Sequence, residues 1–201
     1  MKKVLVVYGV LIVAIIAWYY GVGREKHIVD DSKGKALAVS KHSLGFNMAL
    51  QKVMTDYYTL TAGFENGDTA KIDRAAASLA VSLGSLPVNE LKKDSSIYQT
   101  ASIFWDNAKT EIAGLAADPS LQAKREALNL FSNEVFTLML TIRYDLAKLY
   151  WQECGSAFGD DTPGNWLSET EKPGNPYGQP GCQVVKKVIN FAPSETLRTG
   201  H

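Results

Sequence analysis

Between residues 46 and 64 the large apolar side chains fall at Phe46, Leu50, Val53, Tyr57, Leu60 and Phe64, in steps of 4, 3, 4, 3 and 4. Only a helix, at 3.6 residues per turn, gathers such a spacing onto one face. A helix with one apolar face has to bury it against a neighbour. Three more stripes of the same kind follow: Ile72, Ala76, Leu79, Leu83 and Leu86; Ile97, Ala101, Phe104, Ala108, Ile112 and Leu115; and Leu121, Leu128, Phe131, Val135, Leu138 and Ile142. The first helix is expected to start near Ser40 or Ser43. Glu65-Asn66-Gly67-Asp68 breaks it, with Gly67 suited to a left-handed turn and Asp68 placed to cap the next start. A connection holding Pro87 and the sequence Asp118-Pro119-Ser120 make the other two breaks. Four such helices on short links predict an all-α fold, an up-down four-helix bundle.

After about Leu149 the character changes. Between Cys154 and Cys182 lie six glycines and four prolines, with Phe158, Trp166, Leu167 and Tyr177 as the sizeable apolar anchors. No regular element fits that composition. The expectation is a small irregular C-terminal cap over about residues 149–192. Short extended segments are conceivable at Tyr150-Trp151-Gln152-Glu153 and in CQVVKKVINF, the latter as a strand or a final helical turn. The helices and cap form one domain, residues 42–192, and residues 193–201 read as a flexible tail.

The other constraint lies at the start. Lys2 and Lys3 precede an uncharged apolar run over residues 4–22, VLVVYGVLIVAIIAWYYGV. At about 1.5 Å per residue it spans about 28 Å, the thickness of a bilayer's hydrocarbon. It ends in bulky Trp18-Tyr19-Tyr20, suited to a membrane interface and poorly suited to a signal peptidase. Residues 1–22 therefore read as a retained transmembrane anchor or uncleaved signal, and residues 23–41 as a juxtamembrane linker. The two lysines predict a cytoplasmic N-terminus, hence a single pass through the inner membrane with the body in the periplasm or outside the cell.

The 201 residues carry 21 basic and 21 acidic side chains. That balance gives no general attraction to nucleic acid, and Glu25, Asp30 and Asp31 dilute the richest basic stretch. Outside the cytoplasm an isolated cysteine pair is most simply a disulfide. Trp166 and Tyr177 would then pin the closed loop onto the helices. The alternative is a metal site using Cys154 and Cys182 with a nearby Met or carboxylate. His27, His42 and His201 are far apart in the chain, and Met48 and Met54 read as core or near-core packing. The carboxylates Asp160, Asp161, Glu169 and Glu171 lie in the loop without a nearby histidine or cysteine base, and no nucleophile elbow, phosphate loop or C-x-x-C pair is present. No reaction is assigned, so the chain is expected not to be an enzyme.

YWQEC, then NWLS, then NPYG with a second cysteine shortly after, resembles a bacterial domain-of-unknown-function family. FNMALQKVMTDYYTLTAGFENGD, AAASLAVSL and KREALNLFS are similar to it as well, so that the resemblance covers about residues 40–190. Members of that family are secreted or anchored, and some are fused to the C-terminus of membrane-fusion subunits of copper/silver efflux systems. The resemblance implies a helical bundle with a small C-terminal cap in the periplasm or outside the cell, and a link to metal handling. It is most specific around Trp166-Leu167-Ser168, Asn175-Pro176-Tyr177-Gly178 and Cys182, and Trp166, Leu167, Asn175, Pro176, Tyr177 and Gly178 are the residues expected to serve cap packing or partner contact. Where the family shows His-Cys-Pro-Met at the first cysteine, this chain has Glu153-Cys154-Gly155-Ser156, and Pro180-Gly181 precedes the second cysteine in place of a methionine. Copper prefers Cys, Met and His donors, so this departure weights the pair toward a disulfide. The reading is a membrane-anchored extracytoplasmic helical interaction module with a protein partner in the cell envelope. The alternative is a periplasmic copper-binding domain.

Overall fold

The computed structural model describes residues 42–192. The expected anchor, the linker and the tail from Pro193 lie outside the described residues. Four helices come first: α1 (Leu44–Glu65), α2 (Thr69–Gly84), α3 (Ser95–Ala117) and α4 (Leu121–Ile142), with a 3-10 turn over Val88–Lys93 between α2 and α3. Each helix starts on a side-chain cap. Ser43, Asp68, Asp94 and Ser120 accept backbone N–H bonds from Phe46, Lys71, Ile97 and Ala123. Such caps satisfy donors that the first helical turn leaves open, at about 1 kcal/mol each. Gly67 takes the left-handed turn, with φ of 62°. Glu90 reaches back from the 3-10 turn to accept from the backbone N–H of Ser43 at 2.7 Å and from its hydroxyl, and these bonds lower its carboxyl pKa.

Consecutive helices pack on one another, and α4 packs on the segment Gly164–Ser168 of the C-terminal region. All the stripe residues of α1 are buried, as are Ile72, Ala76, Leu79, Leu83 and Leu86. On α3, Ala101, Ala108, Ile112 and Leu115 are buried, while Phe104 packs half-buried against the core. Of the two methionines on α1, Met54 is buried but Met48 is 62% exposed, a correction to the expectation for that side chain. Met48 falls off the stripe, two residues past Phe46, and the helix turns it to water.

The stripe on α4 has a gap between Leu121 and Leu128, and Lys124 fills it. Its side chain is only 4% exposed. The ammonium donates to the Leu115 carbonyl at 3.0 Å and pairs with Asp73 at 2.8 Å. It thus serves the C-terminal end of α3, whose last carbonyls have no partner within the helix and carry the negative end of its dipole. Trp105 does the same for α2, donating its indole N–H to Leu83 O at 2.8 Å.

The described chain is mostly helical, but its C-terminal region is a small sheet in place of an irregular cap, with two of its three strands on the segments read above as candidates for extended structure. Strands β1 (Leu149–Cys154), β2 (Gly164–Ser168) and β3 (Gln183–Ile189) form an antiparallel sheet in the order β2-β1-β3. Tyr150 pairs with Ser168 and with Val188, and Cys154 with Gly164 and with Gln183, so β1 is the central strand. A bulge at Trp151/Gln152 shifts the β1–β3 register. The glycines and prolines therefore lie around a strand that composition alone conceals. Trp151 of β1 stacks on Phe136 of α4 at 4.2 Å between ring centroids, which seats the sheet on the helices.

Candidate functional site

The site is the junction between the sheet and the helices, and it begins with the outer rim of β2. A strand with one neighbour leaves a row of N–H and C=O groups unpaired on its other side. On β2 that row is taken up by side chains from elsewhere in the chain. The Leu167 N–H donates to the Tyr57 hydroxyl of α1 at 3.0 Å, and the Asn165 N–H to Oδ1 of Asn129 on α4 at 2.8 Å. The Asn165 carbonyl accepts from the Tyr177 hydroxyl at 2.6 Å. Tyr57 also shares a hydrogen bond of 2.7 Å with Ser132 of α4, so one buried phenol joins α1, α4 and β2. Burial pushes its pKa up to about 12 although both hydrogen bonds oppose the rise. The phenol is therefore neutral at every physiological pH.

The loop from Glu169 to Cys182 is organised by Asn175. Its Oδ1 accepts from the Tyr177 N–H at 2.9 Å, while its Nδ2 donates to the Gln179 carbonyl at 2.7 Å and to the Cys182 sulfur at 3.1 Å. One amide thus shapes the turn that presents both Tyr177 and Cys182. Pro176 is buried, and its carbonyl accepts from Arg125 Nε of α4 at 3.0 Å. Gly178 follows with φ of +74°, against the Arg125 guanidinium. Trp166 and Leu167 are 1% and 0% exposed, and the rings of Trp166 and Tyr177 meet edge to face at 5.7 Å. Of the residues singled out from the sequence, Trp166, Leu167, Asn175, Pro176, Tyr177 and Gly178 thus come together in this junction.

Cys154 and Cys182 close it. Their Cα atoms are 4.8 Å apart and the sulfurs are bonded, with Cys154 fully buried. Sulfurs bonded to each other have no thiolate to offer a metal. The other soft donors among the described residues are placed elsewhere: Met54 and Met139 are buried in the helical core, Met48 faces water on α1, and His42 bonds the Ile142 carbonyl at 2.9 Å and stacks on Phe46. Among the described residues no three His, Cys, Asp or Glu side chains converge as metal ligands would. The donor set does not fit copper.

Gly164 sits where β2 passes under the loop. A Cβ there would lie 2.7 Å from both the Ala157 Cβ and the Tyr177 ring. Gly164→Ala is expected to lower the unfolding free energy by about 1–2 kcal/mol, the usual cost of one surplus methyl in a packed site. Urea denaturation checks this, and an unchanged midpoint would show that Tyr177 gives way freely.

Two hollows open beside the junction, on the side of α1. The larger, about 510 Å³, is lined among others by Met54, Tyr58, Tyr144, Leu146 and Glu169. The smaller, about 150 Å³, shares Tyr58 and Glu169 and adds Glu65 and Trp166. Sequence reasoning did not find this groove. Tyr58 lies one residue beside the Tyr57 stripe position, Tyr144 follows the end of α4, and Glu169 reads as an ordinary turn carboxylate. The doublet Tyr57-Tyr58 was the available signal, since the second tyrosine cannot share the face of the first.

The sequence matches no known protein family, no curated protein and no solved structure. No described helix is long and apolar enough to cross a membrane.

Proposed function

We propose that the chain is an extracytoplasmic binding module with a partner in the cell envelope. Residues 4–22 hold it to the inner membrane in a single pass, and the four helices form an up-and-down bundle that carries the sheet. The observation that carries this reading is the bonded pair Cys154–Cys182. Structural disulfides persist in oxidising compartments and are rare in the cytosol. The uncharged run after Lys2 and Lys3 supports the same orientation. Binding is favoured over a reaction because Asp160 and Asp161 are exposed residues of a turn between β1 and β2, with no base beside them in the sequence. The junction beneath the sheet is rigidly built, and the groove along α1 beside it is the concave surface where a ligand or partner group would sit.

Two measurements on the full-length protein test the compartment. Alkylation without reductant should label no thiol, and alkylation after reduction should label two. A reporter active only outside the cytoplasm, fused after residue 192, should be active. Two thiols labelled without reductant, or a reporter active only inside the cell, would overturn the proposal.

A further inference from the structure

The two hollows beside α1 share Tyr58 and Glu169, and together they form one groove. Its larger part, about 510 Å³, falls within the range of small-molecule pockets, roughly 300–1,000 Å³. Its lining has a definite chemistry. Tyr58, Tyr144 and Trp166 are aromatic, Met54 and Leu146 aliphatic, and the carboxylates are Glu65 and Glu169. No lysine, arginine or histidine among the described residues lines either hollow. Glu169 is exposed and has no ion-pair partner among the described residues. Burial raises the pKa of Tyr58 and of Tyr144, and the negative charge of Glu169 adds to the rise in both. Partial burial likewise raises that of Glu65. The lining therefore combines a half-buried Tyr58, the deeper rings of Tyr144 and Trp166, and two carboxylates with no basic side chain among them.

We infer that this groove binds a small organic cation through an alkylammonium or quaternary ammonium group. Glu169 supplies the opposing charge, and Tyr58 and Leu146 take the alkyl surface. An ammonium group among aromatic rings is attracted by the negative ring faces, at about 0.5–2 kcal/mol per ring according to how far it is desolvated. A bare metal ion would gain less, because it needs several ligands at once and among the described residues no three carboxylate, histidine or cysteine side chains converge. An anion would meet Glu65 and Glu169 with no cation to offset them. The inference rests on the binding-module reading and deepens it by naming the chemistry of the ligand.

The test uses the full-length, disulfide-bonded protein in detergent, titrated by calorimetry at fixed ionic strength. The probes are tetramethylammonium chloride, 1,5-diaminopentane and Nα-acetyl-lysine methylamide, with sodium chloride as control. Saturable binding of an ammonium probe, absent with sodium, is the expected result. Glu169→Gln should weaken it about tenfold. Tyr58→Phe, which keeps the ring, should bind within about twofold of the parent, and Asp160→Asn on the far turn should not alter binding. Tighter binding by the free diamine points to a free amine as the natural source. Tighter binding by the lysine derivative points to a side chain of the partner. Heat that never saturates, equal heat with sodium, or an unchanged affinity in Glu169→Gln would overturn the inference. Thiol labelling and the reporter do not depend on any of these outcomes, so failure here and failure of the compartment proposal are separately visible.

Discussion

Replacing both Cys154 and Cys182 by alanine should lower the unfolding free energy by about 3–4 kcal/mol and the Tm by about 10 °C. The two residues are 28 apart in sequence. On the chain-entropy account, joining them removes unfolded conformations to that extent. The segment between them is rich in glycine, which has the most conformational freedom to lose on folding. The folded state keeps its other ties, namely Arg125 to the Pro176 carbonyl, Asn129 to the Asn165 N–H and Tyr57 to the Leu167 N–H. The variant should therefore still fold, with its far-ultraviolet circular dichroism unchanged at low temperature. The double variant is the informative one, because a single replacement leaves a buried or half-buried free thiol. Chemical denaturation gives the number. A loss below about 1 kcal/mol would mean that side-chain docking alone holds the loop.

Tyr57→Phe is the second large effect, a loss of about 2–3 kcal/mol. The ring and its packing against Phe131 are kept, and only the hydroxyl goes. Its removal leaves the Leu167 N–H facing a ring edge in a fully buried place, and a buried donor without a partner costs about 1–3 kcal/mol. The Ser132 hydroxyl loses its partner in the same step. Ser132→Ala should cost less, about 1 kcal/mol, because the Tyr57 hydroxyl still accepts from Leu167. Equal losses in the two variants would show that the Leu167 N–H finds another acceptor. The same phenol fixes the response to alkali. In the unfolded chain it loses its proton near about pH 10, but in the folded protein only near about 12. Between those values the unfolded state binds fewer protons, so stability falls as pH rises, and it is fully present below about pH 10. Tyr58, Tyr144 and Tyr177 are shifted in the same direction, chiefly by burial, and add to the slope. A stability profile flat from pH 9 to 12, followed by denaturation at each pH, would contradict this.

The helices were legible because their information is local. A stripe such as Phe46 to Phe64 states its own period, and Asp68 and Ser120 mark starts without reference to anything distant. The strand Gly164–Ser168 was not legible, because what makes it a strand is remote. Its partners are β1 on one side and Tyr57, Asn129 and Tyr177 on the other. Five residues among glycines and prolines carry too little alternation to announce that. Lys124 shows the opposite failure. Its position completes the α4 stripe, but charge hides it from any count of apolar residues until the open carbonyls of α3 come into view. The cysteines could be paired from the sequence, being two in number. The groove could not be read, since its walls come from α1, the end of α4 and the loop after β2, and no short motif spans them.

The sealing of the β2 rim by Tyr57, Asn129 and Tyr177 has a consequence for how the protein breathes. A flap hinged on its own would let the amide protons of Asn165 and Leu167 trade with deuterium in small, frequent openings. Here those two amides are clasped by side chains rooted in α1 and α4, so their exchange requires the strand to lift away from both helices at once. The sheet is less a lid than a keystone, and its slowest protons report how firmly both helices hold it.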